Sequence, residues 1–329
     1  MRTKTTLFIT VCGAVALSAS VGAHAAEKTK VRFGILQTGS NSAFYVGVKK
    51  GIFAARGFDV TVSALATGVQ ANQALASDQV DWSGGGVEST IVAWGNNLPF
   101  NAYSMYAKGG NSYAILVRKD AHINTPADLK GKRIAVPQGT APAEGLDQVL
   151  KGAGVPLNSV HLVNATFGNM GPMLTSGAVD AMAGLEPFIT LTDEKMGGKA
   201  KVLLRLGKYV QGGGFFLISD KWAAAHKNQM QDAVLAVWEA EHYVRHHQKE
   251  SAEIESKFLK VSPRIILAAF KYLNFSPTIG PFTRKSLEGT ATFLHEGGFV
   301  QQQVDVKQHL AAADAIISEL EKTHPDLLK

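Results

Sequence analysis

Gln37, Ser40 and Asn41 lie between an apolar run of strand length and the start of an apolar-periodic segment. About a hundred residues later Gln138, Thr140 and Ala141 take the same place. Each loop brings an amide, a small hydroxyl residue and a helix N-terminus to the end of a strand. Such a junction attracts anions, because the first N–H groups of a helix lack partners and the helix dipole is positive at that end. Two junctions facing one another would grip a small oxyanion. Ser83-Gly84-Gly85, after Val80-Asp81-Trp82, reads as a third loop of this kind. Glu186, at the end of the run Ala181 to Leu185 and before Pro187, would repel a bare anion. Either a neighbour neutralises it, or the ligand also carries a donor such as an amine.

Other chemistry finds little support. Gly84-Gly85-Gly86 lacks the Gly-x-Gly-x-x-Gly spacing of dinucleotide sites, and no Gly-Lys-Ser/Thr loop occurs, so no nucleotide cofactor is expected. A Gly-x-Ser-x-Gly elbow is missing and no paired-carboxylate signature stands out, so no catalytic residue is assigned. His242 and His246 sit four apart on a helical segment, a spacing that could hold a metal. With Tyr243-Val244-Arg245 between them the metalloprotease motif is absent, and an exposed histidine-rich helix face explains them, so no metal is assigned. Phe44, Trp82, Tyr106, Phe167 and Phe188 are aromatic side chains that could wall a site or fill a core.

The elements that must position these residues follow an alternating pattern. Strands are expected at Val31 to Gln37, Phe58 to Leu65, Phe100 to Tyr106, Tyr113 to Val117, Ile134 to Pro137, Val160 to Asn164, Ala181 to Leu185, Lys201 to Leu206 and Phe215 to Ser219. Short helical segments fall between most of them, as in parallel βαβ units. The pattern occurs twice. Leu75-x-Ser77-x-x-Val80-Asp81 matches Leu174-x-Ser176-x-x-Val179-Asp180 at a shift of 99 positions, and Lys50-Gly51 matches Lys151-Gly152 at a shift of 101. From Lys221 onward helix formers dominate. One long helix is expected over Gln229 to Leu259, then helices at Pro263 to Tyr272, Thr283 to Leu294 and Val304 to Leu320, padding the first unit.

A chain of 329 residues with 46% hydrophobic residues can bury two ordinary cores. Residues 1–25 read as a secretory signal peptide, with Arg2 and Lys4, the apolar stretch Leu7 to Leu17 and the cleavage pattern Ala23-His24-Ala25. Cys12, the only cysteine, falls inside it, so the exported chain is expected to lack disulfides, cysteine metal sites and cysteine nucleophiles. Loss of Arg2 and Lys4 lowers the formal charge from +6 to +4, without long basic blocks, which argues against nucleic acid as a partner.

Asp128-Leu129-Lys130-Gly131-Lys132-Arg133-Ile134, Gly177-x-Val179-Asp180-Ala181 and Glu186-Pro187 together resemble the sulfonate, nitrate and taurine branch of periplasmic substrate-binding proteins of ABC transporters. The likeness is strongest from Val31 to Ser219. It implies the α/β type II periplasmic-binding fold, with two lobes, two crossover strands and a ligand cleft. The first lobe would hold residues 26–117 and 215–329 and the second 118–214, with crossovers near Val117 and Gly214. The resemblance places cleft roles on Gln37, Ser40, Asn41, Ser83, Gly84, Gln138, Thr140, Ala141, Asn164 and Glu186. It implies a periplasmic monomer that binds a small-molecule ligand and serves an inner-membrane permease. No arginine lies in these loops, although a guanidinium clamp suits a sulfonate. An aromatic carboxylate or a pyrimidine-like nitrogen compound is therefore an alternative ligand. An exported enzyme, or a metal-binding protein using His242 and His246, is the alternative of another class. The pyrimidine-precursor enzymes of the same superfamily are marked by a cysteine-rich motif, which this chain lacks.

Overall fold

Two arginines 101 residues apart show how the repeat is built. In the computed structural model, which describes residues 27–329, Arg32 and Arg133 hold equivalent places, each on a strand flanked by two parallel neighbours. Each grips the aspartate that closes the repeated motif. Asp81 Oδ2 accepts from the Arg32 backbone N–H at 2.8 Å and from Nε at 3.0 Å. Asp180 Oδ2 accepts from the Arg133 backbone at 2.9 Å and from Nε at 3.2 Å. Both clamps sit at the entry to a central strand, on the side away from the loops at the strands' carboxyl ends. The most legible sequence motif is thus a fastening of strand to strand.

The first unit runs β1 (Thr29–Leu36), α1 (Ser42–Lys49), α2 (Ile52–Ala55), β2 (Phe58–Leu65), α3 (Gly68–Ala76), β3 (Trp82–Gly86), α4 (Val87–Gly95) and β4 (Phe100–Lys108). The second runs β5 (Tyr113–Arg118), β6 (Arg133–Ala135), α5 (Ala141–Gly152), β7 (His161–Val163), α6 (Phe167–Ser176), β8 (Ala181–Leu185), α7 (Phe188–Lys195) and β9 (Ala200–Arg205). The chain then returns through β10 (Gly213–Ser219) to α8 (Asp220–Ala225), α9 (Met230–His246), α10 (Gln248–Leu259), α11 (Pro263–Phe270), α12 (Pro281–Glu296) and α13 (Val306–Thr323).

Two five-stranded sheets result, ordered β2-β1-β3-β10-β4 and β7-β6-β8-β5-β9. Their plans are equivalent. In each, three parallel strands are followed by an antiparallel strand contributed across the boundary between the units, β10 in one and β5 in the other. The chain therefore crosses twice, at 109–112 and at 206–212. The sequence reading assigns Tyr113 to Val117 to the first lobe, but β5 pairs with β8 and β9 of the second sheet. A glycine-bearing pentapeptide between two apolar runs looks like a hairpin turn, whereas here it is the crossover. Gly110 fits there because a β-carbon would lie 1.8 Å from the Val210 carbonyl oxygen.

Two further expectations change. Ser83 and Gly84 do not form a loop but lie within β3, the buried centre of the first sheet. Gly84 lets α1 approach: a β-carbon there would stand 2.3 Å from Asn41 Oδ1 and 2.6 Å from the Phe44 ring. Gly84→Ala is expected to cost about 1–3 kcal/mol by overpacking, read as a lower urea midpoint with an unchanged slope. The long C-terminal helix is also broken. His247 leaves helical geometry (φ −128°, ψ 47°), and α10 turns to pack between α1 and α11. His246 to Glu250 are all exposed, so no buried side chain holds the two segments on one axis.

The first lobe's core is an aromatic cluster around Trp82, with Phe58 at 4.9 Å, Trp222 at 5.1 Å, Phe216 at 5.4 Å and Phe33 at 5.8 Å between ring centroids. Smaller aliphatic cores cover the two faces of the second sheet.

Candidate functional site

In open parallel sheets the loops at the carboxyl ends of strands are where ligands bind. Here those ends from both sheets meet on one cavity of about 60 Å³. Thr38 and Ser40 follow β1, Gly68 follows β2, and Glu88 and Ser89 follow β3. From the other unit come Thr140, Ala141 and Pro142 after β6, Phe167 after β7 and Leu185 at the end of β8. Tyr106 and Tyr113 stand on either side of the first crossover and Gly213 ends the second. A larger groove of about 450 Å³ lies beyond Thr140, between α5 and the end of α12, walled by Leu146, Leu157, Leu162, Phe293 and Phe299. It receives strand ends from the second sheet only. The smaller cavity, framed by both sheets, is the candidate site.

Its polar groups are unusual for an anion site. Burial raises the Tyr106 and Tyr113 phenols well above their ordinary range, so both remain protonated. The Tyr106 oxygen accepts from Asn41 Nδ2 at 3.4 Å, and the Tyr113 oxygen accepts from the Gly213 N–H at 3.2 Å. Each phenol thus keeps its own proton to donate. Ser40 shares a contact of 3.1 Å with Thr38, and the Thr140 hydroxyl donates to the Pro137 carbonyl at 2.6 Å. Opposite these donors is Glu88, in the first turn of α4 and 3% exposed. Burial pushes its carboxyl up to about 7, opposed by hydrogen bonds from its own N–H and from the Ala141 N–H of the other lobe. Glu144, in the first turn of α5, is pushed up to about 8 by burial and then by the Glu88 and Asp147 carboxylates. Among the described residues no Lys, Arg or His lines the cavity.

Of the ten residues expected from sequence, Ser40, Thr140 and Ala141 line the cavity. Asn41 stands behind it, holding Tyr106 and Thr38. Gln37, Gln138 and Asn164 are exposed and are not among its lining residues; Gln138 lines the larger groove, and Asn164 Oδ1 accepts from the Gln138 N–H at 3.2 Å. Ser83, Gly84 and Glu186 are buried elsewhere. Ser83 donates to the Gly34 carbonyl at 2.9 Å and fastens β3 to β1. Glu186 is neutralised by a neighbour: Oε1 lies 2.8 Å from Arg205, and Oε2 accepts the Thr190 N–H at 3.1 Å at the start of α7. Among the candidate aromatics, Tyr106 and Phe167 reach the cavity, and Phe188 lies parallel to Phe167 at 6.3 Å. Phe44 and Trp82 are core.

Sequence reasoning missed Glu88, Tyr106's role as a donor and Tyr113. The available signal for Glu88 was its place two residues beyond a glycine-rich strand. His242 and His246 have ring centroids 4.1 Å apart, but among the described residues no group of three or more His, Cys, Asp or Glu is placed to hold a metal ion. The signal-peptide expectation lies outside the described residues.

Two lobes of equivalent topology, two crossovers and a cavity between facing strand ends define a two-lobed α/β binding-protein fold. The chain belongs to the NMT1/THI5-like family, whose model matches residues 40–251. It is 24% identical over 310 residues to a Bacillus subtilis (strain 168) protein named "Putative aliphatic sulfonates-binding protein", covering 91% of this chain and 92% of that one. Among solved structures, the alkanesulfonate-binding protein SsuA from Xanthomonas axonopodis pv. citri, bound to MOPS, superposes with a TM-score of 0.76 at 22% identity, over 87% of this chain and 99% of that one. The desulfurization enzyme DSZB shares the fold at a TM-score of 0.70 and 17% identity, over 90% of this chain and 100% of that one. These structural likenesses establish the fold, which carries both binding and catalysis.

Proposed function

We propose that this protein is the solute-binding component of an ABC import system. It captures a small organic anion of the sulfonate, taurine or nitrate class between its lobes and presents the closed form to a membrane permease. The observation that carries this reading is the meeting of strand ends from both sheets on one cavity. Binding energy there acts on a lobe-closure equilibrium, with the crossovers at 109–112 and 206–212 as hinges. The relatives' names support the ligand class, and the expected signal peptide supports export to the periplasm. Among the described residues no helix is long and apolar enough to cross a membrane. The donors assembled on the cavity serve recognition.

Ser40→Ala combined with Thr140→Ala is expected to weaken ligand binding about tenfold, the worth of one to two neutral hydrogen bonds, with little change in thermal stability. Isothermal calorimetry with a ligand found by a thermal-shift screen of sulfonates, nitrate and carboxylates checks this. Unchanged affinity in the double variant would move the site away from this cavity.

A further inference from the structure

Glu88 is a carboxylate that lacks a counter-charge where one is needed. An acidic residue in the first turn of a helix is ordinarily solvated and favoured by the helix dipole. Glu88 has that position but is 3% exposed, and it lines the cavity between the lobes. The groups that favour its charged form are its own N–H and the Ala141 N–H across the cleft. Glu144 approaches from the opposite lobe, 5% exposed. One of its oxygens accepts from Gln148 Nε2 at a long 3.4 Å, and Oε2 has no partner. Asp147 beside it is already paired with Lys151 at 2.7 Å, so that lysine is not free to help.

With the lobes together Glu88 lines the cavity and Glu144 the adjoining groove, both buried and, among the described residues, neither paired with a cation, which is costly unless a charge is supplied. A ligand bearing only negative charge would add a third like charge. We infer that the ligand of this cleft carries a protonated nitrogen that sits against Glu88, together with an oxyanion that takes the free protons of Tyr106 and Tyr113. The ligand class is then a small zwitterion, such as an aminosulfonate or a short amino acid with its amine away from the acid group. This rests on the reading of the cavity as the ligand site. Glu88 and the two tyrosines are close enough that the carboxylate helps to raise both phenols. All three line the same small cavity, so a cation position and an anion position share one space.

The test is calorimetry at pH 7.5 with matched pairs differing in one amine: taurine against ethanesulfonate, and β-alanine against propanoate. The aminated member is expected to bind about 10- to 100-fold tighter, the range of a charge-assisted hydrogen bond. Glu88→Gln is expected to abolish that preference and to leave ethanesulfonate binding equal or stronger. Equal or tighter binding of the non-aminated members to the native protein overturns the inference while leaving the cleft a receptor for organic anions. If no member of either pair binds, both the inference and the assignment of the cleft fail. The native comparison decides the matter even if the Glu88 variant folds poorly.

Discussion

Arg205→Leu lowers the stability of the protein by about 3–5 kcal/mol, the usual cost of stripping one partner from a buried ion pair. Glu186 is fully buried, and among the described residues Arg205 is its only cationic partner, at 2.8 Å. The guanidinium also donates to the Asn111 carbonyl at 2.7 Å, in the first crossover, and lies 3.4 Å from the centre of the Tyr272 ring. One side chain thus joins β9, the strand end after β8, a crossover and the C-terminal helical region. In Arg205→Leu the Glu186 carboxylate keeps only the Thr190 N–H, and the Asn111 carbonyl loses its donor. Thermal unfolding should show a fall on the order of 10 °C. Arg205→Lys should recover part of this, because an ammonium restores charge but lacks the planar fork that serves two acceptors. The diagnostic variant is Arg205→Leu with Glu186→Gln. If the loss comes from a stranded charge, the double variant is more stable than Arg205→Leu alone. A double variant as unstable as the sum of its parts would show that the pair matters only as packing.

The same ion pair shows where sequence reading stops. Glu186 at a strand end before a proline has the local signature of a ligand-facing carboxylate, and nothing nearby in the chain reveals that β9 returns Arg205 to it. The duplicated frame was legible because it is written in local terms: apolar runs of strand length, turn residues at their ends, and Leu-x-Ser-x-x-Val-Asp in both copies. The partners of those aspartates, Arg32 and Arg133, repeat as well, but a single arginine on a strand carries no pattern of its own. Ser40, Thr140 and Ala141 reach the cavity from strand-to-helix junctions, which are local events and so legible in sequence. Ser83 reads locally as part of a loop, and Trp82 as an aromatic that could wall a site or fill a core. They are instead the parts of β3 that fill an aromatic core and fasten a neighbouring strand. Glu88 went unseen for the opposite reason. Its sequence context is an ordinary helix start, and only the arrival of α5 from the other lobe makes it a buried charge.

That burial makes ligand-free closure depend on pH. Glu88 is raised from 4.5 to about 7, and Glu144 from 4.5 to about 8. The groups facing them are the neutral Tyr106 and Tyr113, the Ala141 N–H, Gln148 and Asp147 with its Lys151, and among the described residues no Lys, Arg or His lines the cavity at Glu88. The carboxylates repel each other, so they titrate as a pair. When the lobes separate, both return toward the ordinary range. Between about pH 4.5 and pH 8 the closed form therefore holds protons that the open or unfolded form has released. Stability of the closed form must fall as pH rises through that window and level off above it. The rise at Glu88 alone corresponds to a loss on the order of 3 kcal/mol. The ligand-free protein should be compact near pH 5 and measurably more open near pH 8.5 by small-angle scattering. Its urea stability should decline over the same range. Glu88→Gln combined with Glu144→Gln should stay compact at both values, because uncharged amides have nothing to repel. A native protein equally closed at pH 5 and pH 8.5 would mean that the two carboxylates reach water even when the lobes meet. A zwitterionic ligand should flatten the native profile as the double substitution does, since its ammonium compensates the carboxylates in their charged form and makes their protonation unnecessary for closure.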